Sequence, residues 1–258
     1  MNKTLEWIYA NKLPTGGIAA WPSCSAYPEV TGYLIPTLYD YGADDLAKRC
    51  AEWLLTIQQP DGSYLGMDGL PYTFDTAAVI QGLERAAHET GQEVYLNAAA
   101  KARAWITTKR TQWGTYTVRD GLGAPQHNIR VNGIMQDNHG AYHISGNDRT
   151  HFIAYAMEGF LSLGYRDEVK GTLEAMPYRP DGIAFFSLGN WQGSGSDVIA
   201  TCQLAILAHR VGLDATKQVD AVRRCVKPNG GIPQALDIPR EMSWGAKFYL
   251  DMLREVEQ

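Results

Sequence analysis

Three acidic residues stand where a polar linker gives way to an apolar, helix-forming segment. They are Glu29, Asp75 and Asp197. Two carboxyl groups in one cavity can act as acid and base when their surroundings separate their pKa values. Carboxyl groups on either side of a glycosidic bond are the usual arrangement for sugar hydrolysis. We therefore predict catalytic roles for these three residues, with Glu29 the strongest candidate.

Each of these carboxyl groups also has a purely structural interpretation. Glu29 suits the first turn of a helix, where a negative charge complements the helix dipole. Asp75 and Asp197 directly precede helix-forming segments, and an Asp N-cap is worth about 1 kcal/mol to a helix. The sequence leaves both interpretations open for all three residues.

His151 and Tyr155 form a second candidate group, because positions i and i+4 share one face of a helix. A lyase or epimerase needs a base to remove a proton next to a carboxylate and an acid to return one, and His and Tyr can serve. Arg149 could then bind the uronate carboxylate through two hydrogen bonds. The structural alternative is a capped helix with a hydrogen-bonded His.

Aromatic side chains are plentiful near the predicted linkers, and their rings can stack on sugar faces. The same rings would also suit a prenyl chain, but the polar residues at the helix starts favour a sugar. We predict that the substrate is bound by Tyr27, Tyr33, Tyr72, Arg149, Tyr155, Trp191, Gln192 and Trp244.

The chain is organised by a repeated turn. Pro60-Asp61-Gly62 recurs as Pro14-Thr15-Gly16, Pro180-Asp181-Gly182 and Pro228-Asn229-Gly230, with a degenerate copy at Thr111–Gly114. Pro ends the preceding helix and Gly supplies the positive φ of a tight turn. Repeats with a period of 45–50 residues are typical of stacked helical pairs.

The apolar periodicity predicts ten helices and almost no strand. Their expected bounds are 3–12, 28–41, 44–57, 75–88, 94–109, 151–163, 166–175, 197–211, 214–226 and 243–256. The chain starts with a helix that follows no linker and ends with one that does, so these two can complete a pair and close a ring. We therefore predict an all-α fold: a closed α/α toroid of five hairpins forming a single domain over residues 1–258. The starts of the inner helices would then gather Glu29, Asp75, His151 and Asp197 around one cavity.

An irregular stretch, Thr111–Asp148, interrupts the third repeat. We expect it to form a lid or rim and to include a β-hairpin, with Thr115–Val118 paired against Ile129–Val131. His139 and His143 have a spacing that suits a metal only on a helix, and Asn138 and Gly140 favour a loop. We therefore predict no metal site here.

The segment Lys48–Tyr64, KRCAEWLLTIQQPDGSY, resembles the QW-type repeat of the terpene cyclase and protein prenyltransferase α/α toroids, with Tyr64 in place of the usual Trp. The resemblance implies the toroid fold, in which this motif ties an outer helix to the next turn. The Asp-rich motif of class II terpene cyclases is absent. Asp197, Cys202 and His209 do not reproduce the zinc-site pattern of the prenyltransferases.

Three further segments resemble toroid proteins of polysaccharide metabolism, which are similar to α/α-barrel glycoside hydrolases, lyases and sugar epimerases. The segments are Tyr27–Tyr33, Tyr72–Thr76 and His151–Tyr155. This resemblance implies a carbohydrate substrate.

Composition and charge argue against several classes of partner and site. The net charge is −5, without a Lys/Arg block, which argues against nucleic acid as a partner. The four cysteines show no close metal-ligand spacing and are expected to be buried free thiols. No segment has the length of a membrane span or a signal peptide, so we expect a cytoplasmic protein. We also expect no cofactor.

The favoured hypothesis is an enzyme that acts on a poly- or oligosaccharide as a hydrolase, lyase or epimerase. A non-catalytic toroid that binds a glycan or a protein, and a terpene cyclase or prenyl-group enzyme, remain the alternatives.

Overall fold

The computed structural model describes residues 2–110, 130–131, 133–135, 149–189 and 192–256. Within these ranges the chain forms ten helices with defined bounds and one two-stranded sheet, and residues 130–131 and 133–135 are also helical, which confirms the all-α class. The helices are α1 (Lys3–Ala10), α2 (Pro28–Asp40), α3 (Asp44–Ile57), α4 (Thr73–Thr90), α5 (Glu93–Thr107), α6 (Thr150–Ser162), α7 (Arg166–Ala175), α8 (Val198–Arg210), α9 (Thr216–Cys225) and α10 (Ser243–Val256).

The chain divides into two compact units. The N-terminal unit comprises Ile8–Gly140, and the C-terminal unit comprises Met1–Trp7 together with Ala141–Gln258. The N-terminal unit contains α2 to α5, and the C-terminal unit contains α6 to α10 with the sheet. The assignment of a single domain stays a prediction.

The four complete turns dock in the same way. Gly16, Gly62, Gly182 and Gly230 all have positive φ, and a Cβ on any of them would lie at most 3.0 Å from a backbone carbonyl oxygen. Those oxygens belong to Arg49 of α3, Lys101 of α5, Lys217 of α9 and Lys3 of α1. Only glycine combines the left-handed backbone with so close an approach. Each of these four turns thus packs on the backbone of an outer helix.

The last turn packs on the first helix of the chain. Thr4 donates a hydrogen bond from its hydroxyl to the carbonyl of Gly230, at 2.9 Å, and Trp7 donates from its indole N–H to Glu241, at 2.8 Å. Helix α1 therefore takes the place of an outer helix for the last repeat, as the open ends of the sequence pattern predict.

A second recurring contact fixes three of the linkers to the helices that follow them. The hydroxyls of Thr31, Thr76 and Thr201 accept hydrogen bonds from the backbone N–H groups of Ile18, Tyr64 and Ala184, at 3.0, 3.2 and 2.9 Å. All three threonines are fully buried, and each lies four residues after the N-cap of its helix. Equivalent positions at the starts of the inner helices can therefore be compared directly.

The sheet is a small antiparallel hairpin in the linker before α8. Its strands, β1 (Ser187–Gly189) and β2 (Gln192–Ser194), pair Leu188 with Gly193. Thr115–Val118 and Ile129 of the predicted hairpin lie outside the described residues. Val131, the last residue of that predicted hairpin, is helical, as is Arg130.

The four cysteines are free thiols; Cys50 and Cys202 are buried as predicted, whereas Cys24 and Cys225 are half-buried. No helix in the described ranges is both long enough and apolar enough to cross a membrane.

Candidate functional site

The start of α2 in the N-terminal unit brings together three of the predicted site residues. Tyr27 is the N-cap residue of α2, and Glu29 lies in the first turn after Pro28, whose fixed φ suits a helix start. The Tyr27 hydroxyl donates a hydrogen bond to Oδ2 of Asp75 on α4, at 2.6 Å. The ring of Tyr27 was predicted to stack on a sugar, whereas its hydroxyl binds a candidate catalytic carboxylate.

Asp75 is not the N-cap of its helix. That position belongs to Tyr72, and Asp75 follows three residues later, only 5% exposed. The structural alternative for Asp75 as an N-cap is therefore wrong. Its side chain accepts the hydrogen bond of Tyr27 instead of a backbone N–H at the cap.

Burial and mutual charge change the titration of both carboxyl groups. Burial raises the pKa of Glu29, the charge of Asp75 raises it further, and Arg130 and the Tyr27 hydroxyl lower it. Burial also raises the pKa of Asp75, which the hydrogen bond from Tyr27 lowers. Two such groups titrate as a pair and share a proton near neutral pH.

Tyr27 remains a donor through this range. Burial and the charges of Glu29 and Asp75 raise the pKa of its phenol far above the usual value. Because the phenol donates its only proton to Asp75, the hydrogen bond favours the ionised form of Asp75. The negative charge on Asp75 in turn raises the pKa of Glu29, which is partly exposed.

Arg130 was not predicted as a site residue. It is 6% exposed, and its guanidinium carbon lies 5.4 Å from the ring centre of Phe74, beside Asp75 in the chain. It sits in the irregular stretch, where no periodicity marks a residue as buried. A single arginine in a polar segment gives no sequence signal of such a contact.

The other aromatic candidates of this unit have different surroundings. Tyr33 is 2% exposed and belongs to the core. Tyr72 is partly exposed and donates a hydrogen bond to Asp68, at 2.7 Å. Sugar stacking by these two rings stays a prediction, which the burial of Tyr33 does not favour.

The C-terminal unit holds the second group of predicted residues, at the starts of α6 and α8. Asp197 is the N-cap of α8 and accepts a hydrogen bond from the backbone N–H of Ala200, at 2.8 Å, as its structural interpretation predicts. Burial raises the pKa of Asp197 to about 7, although the Ala200 N–H and the charge of Arg149 lower it. A carboxyl that titrates near neutral pH can either give or accept a proton.

Arg149 is the N-cap residue of α6 without a side-chain capping bond. Its guanidinium carbon lies 4.4 Å from the ring centre of Phe186 and 5.1 Å from that of Phe152. Its Nε atom is buried and has no hydrogen-bond partner among the described residues. Binding of a uronate carboxylate by this side chain stays a prediction.

His151 lies in the first turn of α6, 8% exposed. Its ring centre is 4.4 Å from that of Tyr155, so the predicted pair does share one helix face. Its Nδ1 lies 2.5 Å from Oε1 of Gln203 on α8, and the Nε2 of Gln203 donates to Glu158, at 3.2 Å. Neither Gln203 nor Glu158 was predicted as a partner of His151, although an amide inside the apolar run of α8 is a usable sequence signal.

The remaining candidates are less informative. Trp244 is partly exposed in the first turn of α10, and Gln192 lies on β2. Trp191, His139 and His143 lie outside the described residues. In the ranges that the structure covers, no group of three or more His, Cys, Asp or Glu residues is placed to hold a metal ion.

The predicted site residues therefore fall into two groups. Tyr27, Glu29 and Asp75 belong to the N-terminal unit, and Arg149, His151, Tyr155 and Asp197 belong to the C-terminal unit. Their convergence on one cavity stays a prediction.

No protein-family model matches the chain, and no curated protein matches it. Solved structures do. A novel alpha-amylase from Clostridium perfringens is 12% identical with a TM-score of 0.74, over 99% of this chain and 98% of that one. The type II terpene cyclase MstE from Scytonema is 14% identical with a TM-score of 0.69, over 98% and 95%. An unsaturated glucuronyl hydrolase specific for heparin is 14% identical with a TM-score of 0.67, over 98% and 94%.

These likenesses show the fold, which is that of the α/α toroid proteins, as the resemblance of Lys48–Tyr64 implies. At 12–14% identity they do not carry an activity to this chain.

Proposed function

We propose that the protein is an enzyme acting on a poly- or oligosaccharide, with Glu29 and Asp75 as its acid and base. The observation that carries the proposal is the 2.6 Å hydrogen bond from Tyr27 to Asp75, beside a second carboxyl whose pKa is raised by burial and by the charge of Asp75. Carbohydrate as the substrate class is supported by the alpha-amylase and glucuronyl hydrolase among the structural neighbours.

We assign different roles to the two carboxyl groups, and their different surroundings support this assignment. Glu29 keeps the shared proton and is partly exposed, so it is the acid that protonates a departing sugar oxygen. Asp75 is ionised by its hydrogen bond and acts as the base or nucleophile. Arg130 stabilises the charge on Glu29 once the proton has left. The reaction class depends on what the base acts on. Activation of water would make the protein a hydrolase, removal of a proton next to a carboxylate a lyase, and removal and return of a proton at a ring carbon an epimerase.

The test is a substrate screen with matched variants. Starch oligosaccharides and heparin-derived oligosaccharides would be incubated with the protein, and products followed by reducing-end assay, ultraviolet absorbance of a new double bond and proton NMR of the anomeric centres. Glu29→Gln and Asp75→Asn should each lower kcat at least about 100-fold, since acid–base catalysis contributes at this scale. Their thermal midpoints should stay near that of the parent.

Glu52→Gln is the matched control. Glu52 lies on α3 in the same unit with an exposed side chain, 4.0 Å from Lys48. This variant should keep full activity. Turnover that survives both Glu29→Gln and Asp75→Asn would overturn the proposal, and so would variants that lose activity only because they unfold.

One observation favours a second candidate, a terpene cyclase. That chemistry starts from an acidic proton donor, and Glu29, whose pKa is raised by burial and by the charge of Asp75, can supply one. The type II terpene cyclase among the neighbours has the same fold. Conversion of prenyl diphosphates or squalene-like chains to cyclic products, detected by mass spectrometry, together with no action on any saccharide, would favour this function.

A non-catalytic binding protein is the third reading. Calorimetric titration separates it from the first, because saccharide binding without turnover, unchanged in Glu29→Gln and Asp75→Asn, would indicate binding alone.

A further inference from the structure

The interface between α6 and α8 contains a network of hydrogen-bonded polar side chains. This network has no role in the acid–base chemistry proposed for Glu29 and Asp75. It runs from His151 through Gln203 to Glu158, with Gln203 fully buried and His151 8% exposed. Such groups are costly inside an apolar helix interface unless each finds a partner. The network lies wholly within the C-terminal unit.

The direction of each hydrogen bond follows from the chemistry of its end. An ionised carboxylate only accepts hydrogen bonds, so the group of Gln203 that faces Glu158 must be its NH₂. The distance of 3.2 Å from Nε2 to Oε1 of Glu158 agrees with this orientation. The carbonyl oxygen of the amide then faces His151.

An amide oxygen also only accepts, so the imidazole nitrogen 2.5 Å away must carry a proton. That nitrogen is Nδ1. In the neutral ring the lone pair is then on Nε2, since the hydrogen bond made by one ring nitrogen decides the role of the other.

We propose that Glu158 and Gln203 are positioning residues that hold His151 as the Nδ1-protonated tautomer and thereby make Nε2 the proton-accepting atom of the ring. Tyr155 and Phe248 restrict the orientation of the same ring, with centres 4.4 and 6.1 Å from it. The protein thus has an imidazole base, His151, in addition to the carboxyl groups of Glu29 and Asp75. This inference does not depend on the proposed function, because its test reads the proton on the ring and needs no substrate.

The experiment is nitrogen NMR of the 258-residue chain labelled at its six histidines, at a pH where the imidazole is neutral. The signals of His151 are assigned by their loss in His151→Gln. In the parent we expect Nδ1 to appear as the protonated nitrogen and Nε2 as the unprotonated one. An Nε2-protonated ring in the parent would overturn the proposal at once.

Two variants test the positioning role. Gln203→Leu removes the acceptor and should shift the tautomer population toward Nε2–H, which free imidazole favours, whereas Gln203→Glu should retain the Nδ1–H form because a carboxylate also accepts from it. Glu158→Gln should give a mixture, because an amide at 158 no longer dictates which end of Gln203 faces the ring. The matched control is Glu168→Gln, the same change at an exposed position of α7.

The control must leave the tautomer unchanged. A tautomer that stays Nδ1–H in Gln203→Leu, or that is equally unaffected by Glu158→Gln and Glu168→Gln, would show that Gln203 and Glu158 do not position the ring. Circular dichroism of each variant separates a lost fold from a changed tautomer.

Discussion

The seam between α2 and α4 and the seam between α6 and α8 join inner helices in different ways. In the first, Gly32 and Gly82 let the backbones touch: a Cβ on Gly32 would lie 2.6 Å from the Cα of Val79, and one on Gly82 would overlap the carbonyl of Gly32. In the second, the polar chain His151–Gln203–Glu158 spans the interface. Inner helices at equivalent positions of the repeat can therefore pack either through a close glycine contact or through buried polar side chains.

The carboxyl groups at the helix starts also differ between the two units in the partners that they bind. In the N-terminal unit the close approach of α2 and α4 accompanies a hydrogen bond between Tyr27 and Asp75, across the two helices. In the C-terminal unit Asp197 binds its own helix through Ala200. The same residue type thus couples neighbouring helices in one unit and caps a single helix in the other.

The largest expected effect is on the glycine seam. Gly32→Ala places a methyl group against the backbone of Val79, which cannot give way as a side chain would, so we expect a loss of about 3 kcal/mol or more in the free energy of unfolding. Urea unfolding followed by circular dichroism measures it.

Gly171→Ala is the matched control for this change. Gly171 lies inside α7, and a Cβ there would meet nothing within 4 Å, so the variant should gain roughly 0.5–1 kcal/mol from helix propensity. Equal effects of the two variants would show that the α2–α4 contact is not close.

The next largest effect concerns Asp197 and depends on pH. Its folded pKa of about 7 exceeds the ordinary value, so its contribution to stability is full below about pH 4 and is lost as the pH rises through 7. Asp197→Asn keeps a good N-cap without a charge. At pH 8 it should therefore be more stable than the parent by a few kcal/mol, at about 1.4 kcal/mol per pKa unit. The gain should vanish near pH 4.

Asp214, in the same unit, is the control, because its pKa is shifted in the opposite direction to that of Asp197. Hydrogen bonds from Thr216 lower the pKa of Asp214, so its contribution is present above the unfolded pKa and is lost as the pH falls. Its Asn variant should gain nothing at pH 8. Thermal midpoints of both variants between pH 4 and 8 give the comparison, and parallel curves would contradict it.

A smaller effect is expected from Tyr27→Phe, which removes the hydrogen bond that lowers the pKa of Asp75. The pKa of Asp75 should rise, so the acid limb of the pH–rate profile should move to higher pH by about one unit, as loss of a hydrogen bond to the charged form predicts. The pH dependence of kcat/KM on a substrate found in the screen measures this shift.

Tyr72→Phe is the control for that profile. Tyr72 makes a hydrogen bond of nearly the same length, 2.7 Å, to the exposed Asp68. Asp68 acts on the pKa of Asp75 only through its charge and not through a hydrogen bond, so removal of the Tyr72 hydroxyl should move the profile much less than Tyr27→Phe does. A shift of equal size in both variants would mean that the Tyr27 bond has no special part in the titration.

The smallest effect should be common to both units. Thr31→Val, Thr76→Val and Thr201→Val each leave a linker N–H without its acceptor and should cost about 1 kcal/mol. Thr56→Val, at an exposed helix position, should change stability by less than about 0.5 kcal/mol. Unequal losses between Thr31 and Thr201 would mean that the units do not share one frame.

Much of the fold could be predicted because its signals are local. Pro-x-Gly turns, apolar stripes and linker spacing act within a few residues of each other, and the bounds of α3, α7 and α10 agree with their predicted ranges. The predicted start of α4 was two residues late because Tyr72, not the acidic residue, holds the N-cap position. Within the described residues, the sheet lies in the linker before α8.

The sequence by itself determined the residue types at the helix starts and the repeat that spaces them. Only the tertiary structure decided which of those groups meet: the phenol of Tyr27 with Asp75, and the imidazole of His151 with Gln203. The partners are 48 and 52 residues apart, and no local pattern encodes a hydrogen bond across that separation. The pKa of each acid depends on such contacts and on burial, which arise only when helices pack.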